Sequence, residues 1–214
     1  MNRDEITIVI CCAGMGTRLG IGSTKALIDI EGKPLIVRLL ELLKDYDDIR
    51  IVVGFQAEKV IETVNTIRKD IIFVFNHEYA STGIASSLQL GMKFCRKYVV
   101  EIDGDIIIDS TDFERFMTYP NECLAVTEIN SDNPILADVE KGKVRSFSME
   151  QGNLEWTGLF KIESSKLGGN KDYIYELIES SLPLDAIEVG ARDIDTAEDY
   201  EKALIWYKQH YMGE

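Results

Sequence analysis

Apolar positions in the first half of the chain alternate between short unbroken runs and sets spaced three and four apart. Ile6-Thr7-Ile8-Val9-Ile10-Cys11-Cys12 is an apolar, β-branched run that stops before Gly14, the pattern of a strand covered on both faces. Pro34 opens a helical pattern in which Leu35, Leu39, Leu42 and Leu43 share one face, and proline suits a first helical turn. Ile49-Arg50-Ile51-Val52-Val53 reads as the next strand and Gln56 to Arg68 as the next helix. Ile71-Ile72-Phe73-Val74-Phe75 and Val99-Val100-Glu101-Ile102 continue as strands, with a helix over Ser86 to Phe94 between them. Strands alternating with helices predict a parallel sheet joined by right-handed crossovers.

After about residue 120 the segments shorten. Leu124 to Ile129, Ile135 to Val139, Val144 to Phe147 and Trp156 to Ile162 read as strands, with Lys141-Gly142-Lys143 as a turn. A helix over Asp172 to Ser181 and a strand over Ala186 to Val189 follow, and a last helix starts near Thr196, where Thr196 and Asp199 have the spacing of a capping box. No repeat, low-complexity linker or composition break interrupts the chain, so a single mixed α/β domain over 1–214 is expected.

At 214 residues and 45% hydrophobic, the chain is long enough to bury a core and too apolar for disorder. No apolar run reaches the length of a membrane span. Met1-Asn2-Arg3-Asp4-Glu5 places acids before a short apolar run, a poor secretory signal. Cys11, Cys12, Cys95 and Cys123 lack metal-ligand spacing and read as reduced, buried thiols of a cytoplasmic protein. The excess of 37 acidic over 23 basic residues, a formal charge of −14, is the wrong sign for a nucleic-acid binder. A small anionic substrate would need a local basic site or a metal.

Such a basic site follows the first strand. Ala13-Gly14-Met15-Gly16-Thr17-Arg18-Leu19-Gly20, with Lys25 beyond it, lies where open α/β sheets bind ligands, at the carboxyl ends of strands. Glycines let backbone N–H groups approach phosphates, and Arg18 and Lys25 supply the charge. A dinucleotide fingerprint would need a small third residue where Leu19 stands, and no Gly-Lys-Ser/Thr forms a Walker loop. A solvated glycine turn is the bland alternative. Downstream, Asp103-Gly104-Asp105 closes the fourth strand and puts carboxylates at the same sheet edge, unless these acids only cap the helix near Ser110.

The loop, with Lys25-Ala26-Leu27 and Gly32-Lys33-Pro34-Leu35-Ile36, resembles nucleotidyltransferases that couple an NTP to a phosphorylated sugar, alcohol or phosphonate and release pyrophosphate. Departures are Thr24 where that family has proline, Cys11-Cys12 for Leu-Ala, and a short spacer. The resemblance implies a Rossmann-like, mixed but mainly parallel sheet flanked by helices, of the nucleotide-diphospho-sugar transferase type. About 1–110 would form the nucleotide-binding half and about 111–214 the acceptor-binding half. It also implies that Arg18 and Lys25 are catalytic, on the β/γ- and α-phosphates respectively, and that Ala13, Gly14, Met15, Gly16 and Thr17 cradle the nucleotide. Asp105, and Asp195 from Asp193-Ile194-Asp195-Thr196, would hold Mg²⁺, with Asp103 assisting at the nucleotide; as a plain alternative, Asp195 sits favourably before a helix.

Asn76-His77-Glu78-Tyr79-Ala80-Ser81-Thr82-Gly83-Ile84-Ala85-Ser86-Ser87-Leu88 looks most like cytidylyltransferases acting on phosphocholine and phosphonates. It implies nucleotide contacts from Ser81, Thr82, Gly83 and Ser86, with Gln56 alongside, although Ser81 or Thr82 as an N-cap explains the same residues. Glu155-Trp156-Thr157-Gly158 resembles the acceptor-contacting segment, where an indole beside a carboxylate suits a cationic ammonium, and Trp156 as plain core is an equal reading. The implied reaction is Mg²⁺-dependent transfer of CMP from CTP to a phosphorylated or phosphonate small molecule, without nucleic acid or membrane; the oligomeric state stays open and a homodimer is compatible. Rivals are a sugar-1-phosphate nucleotidyltransferase using another NTP, a molybdopterin-type guanylyltransferase, and an inactive nucleotide-sensing module.

Overall fold

The computed structural model describes residues 2–17, 20, 22–169 and 171–212. Its central strand, β1 (Ile6–Cys12), is flanked by parallel neighbours on both sides, which explains an apolar run with no polar alternation. A short hairpin of β2 (Asp29–Ile30) and β3 (Lys33–Pro34) leads into α1 (Leu35–Leu42). Then come β4 (Ile49–Val53), α2 (Ala57–Asn65), β5 (Ile72–Phe75), α3 (Ile84–Gly91) and β6 (Tyr98–Asp103). These strands lie in the order β5-β4-β1-β6, every pair parallel.

The remainder comprises β7 (Ile106–Ile108), α4 (Ser110–Thr118), β8 (Cys123–Thr127), β9 (Leu136–Glu140), β10 (Lys143–Ser148), β11 (Leu154–Glu163), α5 (Ile174–Ile178), β12 (Leu184–Glu188), β13 (Ala191–Asp193) and α6 (Ala197–Tyr207). β11 runs antiparallel beside β6 and extends the sheet through β8, β12, β10 and β9. In this half only β8 and β12 pair in parallel within the main sheet. The start of β11 also pairs with β9, so five strands close a circuit of pairings. The sheet is therefore mixed: parallel through β6, mostly antiparallel beyond it.

Side-chain alternation sorts the core. Ile8, Ile10, Val100 and Ile102 face α1, α2 and α4, whereas Val9, Val99 and Phe160 face α3 and α5. A smaller cluster joins Ile28, Ile30, Leu35 and Ile107 to Ile194, Ala203 and Trp206 of the last helix. No helix among the described residues is long and apolar enough to cross a membrane. All four cysteines are free.

Two pairings have no counterpart in the periodicity. The β2–β3 hairpin and the antiparallel pair β7–β13 are two and three residues long, too short for any repeat to register. The second pair matters for the site, because it ties the segment after β6 to the segment before α6.

Candidate active site

A cleft of about 840 Å³ opens where β1 and β6 end. Ala13, Gly14, Gly16 and Thr17 form one wall, while Met15 turns outward. Gly16 has φ +58°, and a Cβ there would sit 2.9 Å from Lys25 Cγ, so the loop closes over the lysine stem only because residue 16 is glycine. Arg18 lies outside the described residues. Gln56 does not line the cleft; its Nε2 donates to Gly22 O at 2.8 Å and its Oε1 accepts from Ser23 Oγ at 3.4 Å, which ties it to the segment leading from the glycine loop to Lys25.

Lys25 opens a single helical turn and sends its side chain into the cleft floor. Its Nζ donates to Asp105 Oδ2 at 2.7 Å and also to Asp195 Oδ1. The two acids come together through β7 and β13: Asp193 pairs with Ile106, and Ile194 N donates to Asp105 O at 3.2 Å. Asp103 and Asp193 line the same floor. The strand stops at Asp103 and turns at Gly104-Asp105, so Asp103 and Asp105 reach one cleft from either side of a turn rather than along one strand face.

Among the described residues, the electrostatics follow from the four carboxylates of Asp103, Asp105, Asp193 and Asp195 around the Lys25 ammonium. Burial opposes the charge on Lys25, but Asp105 and Asp193 outweigh it and hold its pKa above the ordinary lysine value. Burial, then the charge of Asp105, pushes Asp103 up to about 7 and raises Asp193 well above a normal carboxylate.

Neither Asp103 nor Asp105 serves as a helix cap, while Asp195 does stand directly before the cap of α6. Asp109, not Asp103 or Asp105, caps α4, accepting from Thr111 N at 2.9 Å and Asp112 N at 3.0 Å. Thr196 and Asp199 form the expected capping box on α6, and Asp195 turns instead to Lys25. The Lys25 ammonium bonds both carboxylates, so an oxygen of each faces one point. Two carboxylates, with remaining positions left to phosphates and water, are a donor set that fits Mg²⁺. Among the described residues no group of three His, Cys, Asp or Glu is spaced to hold a metal unaided.

Along the wall built by the turn before α3, Tyr79, Thr82, Gly83 and Ser87 line the cleft, whereas Ser81 and Ser86 do not. Asn76 is buried and its Nδ2 donates to Thr82 Oγ1 and Ser87 Oγ, which fixes the turn. The Ser81 and Thr82 hydroxyls donate to Glu78 O, and the residue at the start of α3 is Gly83, without a side-chain cap. The N-cap reading of either hydroxyl is thereby corrected.

At the far end stand Trp156, Thr157, Gly158, Tyr173 and Tyr175. Gly158, with φ +84°, lies so tightly against Asp103 that any side chain there would collide with the carboxylate. Trp156 is largely buried, packs on Phe147 with ring centroids 5.1 Å apart and donates its indole N–H to Leu159 O. Glu155 is not a cleft residue. Its carboxylate accepts from Asn130 N, Ser131 N and Ser131 Oγ and holds that loop, so the paired indole and carboxylate do not form. Asp193, Tyr173 and Tyr175 have no assigned role in the sequence reading, and Tyr79 enters it only as part of the Asn76-to-Leu88 segment; for Asp193 the signal is its place two residues before Asp195.

Known proteins agree with this architecture. Bifunctional protein GlmU of Methanococcus maripaludis (strain C7 / ATCC BAA-1331) is 27% identical over 199 residues, covering 86% of this chain and 45% of the relative. The chain thus spans less than half the length of that relative. The structure of CTP:phosphocholine cytidylyltransferase from Streptococcus pneumoniae superposes with a TM-score of 0.76 at 20% identity, covering 95% of this chain and all of the other. A putative glucose-1-phosphate thymidylyltransferase from Bacillus anthracis gives 0.79 at 18% identity, covering 98% of both chains. At such identities these structures establish the fold. The model of the MobA-like NTP transferase domain matches residues 8–142, more than half of the sequence and inclusive of the glycine loop, Lys25, Asp103 and Asp105, and the chain belongs to that family.

Proposed function

We propose that this protein transfers a nucleotidyl group, CMP from CTP, to a small phosphorylated or phosphonate acceptor and releases pyrophosphate. The carrying observation is the continuity of one cleft, with the glycine loop and Lys25 at one end and the wall of Trp156, Tyr173 and Tyr175 at the other. In this reading residues 1–110 serve the nucleotide and 111–214 the acceptor, in the cytoplasm.

The backbone of Gly14 to Thr17 receives the triphosphate, and the family resemblance assigns its β- and γ-phosphates to Arg18. Lys25 holds the α-phosphate and the incoming acceptor oxygen, and places them for in-line attack. Asp105 and Asp195 would hold a divalent cation such as Mg²⁺, which supplies neutralisation of the charge spreading over the phosphates. No side chain acts as nucleophile, because the attacking oxygen arrives ionised.

The turn organised by Asn76 brings Tyr79, Thr82 and Gly83 to the base, and its resemblance to cytidylyltransferases favours CTP. The acceptor end has aromatic walls and, among the described lining residues, no basic side chain apart from Lys25. That environment favours an acceptor whose body beyond the phosphate is neutral or carries an alkylammonium, as in phosphocholine or aminoethylphosphonate. The similarity to GlmU and to a thymidylyltransferase supports a second reading, a sugar-1-phosphate acceptor with another NTP. Pyrophosphate release, measured for four NTPs against phosphocholine, aminoethylphosphonate and sugar 1-phosphates, decides between them. Release with CTP and an alkylammonium acceptor is expected; release only with a sugar phosphate selects the second reading, and none with any pair refutes both.

A further inference from the structure

The ammonium of Lys25 stands where a cation shared by Asp105 and Asp195 would stand. Its side chain is 16% exposed, and its stem is pinned beneath Gly16 while the tail alone bridges the acids. Ala26, the next residue, is 1% exposed, so the backbone at this point is anchored in the core. With the backbone and stem anchored, exchange between the carboxylates and a bound phosphate would be left to rotation of the lysine tail alone.

We propose that Lys25 is the resident counter-ion of the Asp105–Asp195 pair, excluding free divalent cations until a triphosphate draws its ammonium away. This rests on the reading of Asp105 and Asp195 as cation ligands. A bare Mg²⁺ or Mn²⁺ must displace an ammonium already bonded to both carboxylates, and must do so beside a charge that repels it. A nucleotide-bound cation brings phosphates that give the ammonium a new partner, so exchange costs little. The device makes entry of cation and nucleotide concerted, and it offsets part of the repulsion between Asp105 and Asp195 while the cleft is empty.

The test is Mn²⁺ binding to the whole, nucleotide-free protein, followed by electron paramagnetic resonance, with thermal melting in EDTA and in Mn²⁺. Wild type is expected to bind Mn²⁺ weakly. Lys25→Met should bind it about tenfold more tightly or better, melt lower in EDTA, and recover more than wild type on adding Mn²⁺. Lys25→Arg, which keeps the charge, should behave as wild type. Unchanged Mn²⁺ affinity in Lys25→Met overturns the proposal. Adding Asp195→Asn to Lys25→Met should abolish the new affinity; if it persists, the cation is held elsewhere and the proposal falls.

The ligand reading fails separately. It is refuted if Asp195→Asn alone leaves binding of Mn²⁺ with a non-hydrolysable CTP analogue unchanged, whereas loss of that binding with an inert Lys25→Met sinks only the counter-ion role. Should Lys25→Met not fold, side-chain ¹⁵N NMR of wild type substitutes. The bridged ammonium should give an exchange-protected signal that Mg²⁺ alone leaves in place and Mg²⁺ with the analogue shifts. A signal displaced equally by Mg²⁺ alone overturns the idea.

Discussion

Glu101 is fully buried on β6, between Val9 and Phe160, and neither carboxylate oxygen has a hydrogen-bond partner among the described residues. Burial, then the neighbouring charge of Asp103, raises its pKa well above the ordinary value. A carboxyl raised in the folded state binds its proton more tightly there than in the unfolded chain. Its contribution to stability is therefore complete below about pH 4, the unfolded value, and is lost as pH rises. Glu101→Gln should accordingly be more stable than wild type at pH 7 to 8, with the gain vanishing near pH 4; urea titrations across that range measure it. The result would be contradicted by a gain that stays constant with pH. At the same scale, Lys25→Ala should lower turnover about a hundredfold or more through loss of a preorganised positive group. Its effect on stability differs from that of an ordinary surface lysine, because Asp105 and Asp195 both lose the ammonium that bonds them.

At the scale of elements, two charges that look misplaced within apolar strands turn out to terminate helices. Lys161 on β11 is fully buried, and its Nζ donates to Phe116 O at 3.1 Å, Met117 O at 3.2 Å and Tyr119 O at 2.5 Å, at the carboxyl end of α4. Arg50 on β4 likewise donates to Gly91 O, Lys93 O and Phe94 O at the end of α3, and its Nε to Asp48 at 2.9 Å. Both satisfy orphan carbonyls and lie favourably against the helix dipole. Lys161→Met keeps the stem but strands buried carbonyls, so it should cost about 2 kcal/mol. A fall in the urea midpoint with unchanged slope is the expected reading, and an unchanged midpoint would show those carbonyls to be hydrated. Gln56 acts comparably between elements, and Gln56→Ala should raise KM for nucleotide several-fold through a looser glycine loop while largely sparing kcat.

For the whole molecule, the decisive contact is between segments 90 positions apart in the sequence: Asp105 after β6 and Asp195 before α6. Since both bond one ammonium and converge on one cation position, Asp105→Asn and Asp195→Asn should each remove most activity. The double variant should cost little more than the worse single one, and additive losses in kcat/KM would show that the acids act separately. Much of this protein was legible in order along the chain. The β-branched run before Gly14, the leucine face after Pro34 and the Thr196–Asp199 box each express a local rule of burial, periodicity or capping, and local rules survive folding. The glycine loop was likewise legible as a cleft wall beside Lys25, because glycine spacing after a strand and a nearby charge are local features. Other assignments required the third dimension. Whether Glu155 faced the cleft or a loop depended on Asn130 and Ser131, and whether Asp105 capped α4 or turned to Lys25 depended on Asp109. The meeting of Lys25 with Asp195 hangs on two three-residue strands with no periodicity to announce them. Sequence determined which chemistry the chain carries, since composition and spacing are fixed by covalent order; which carboxylates share that chemistry was decided by tertiary structure, because charges act over a few ångströms in space whatever their distance along the chain.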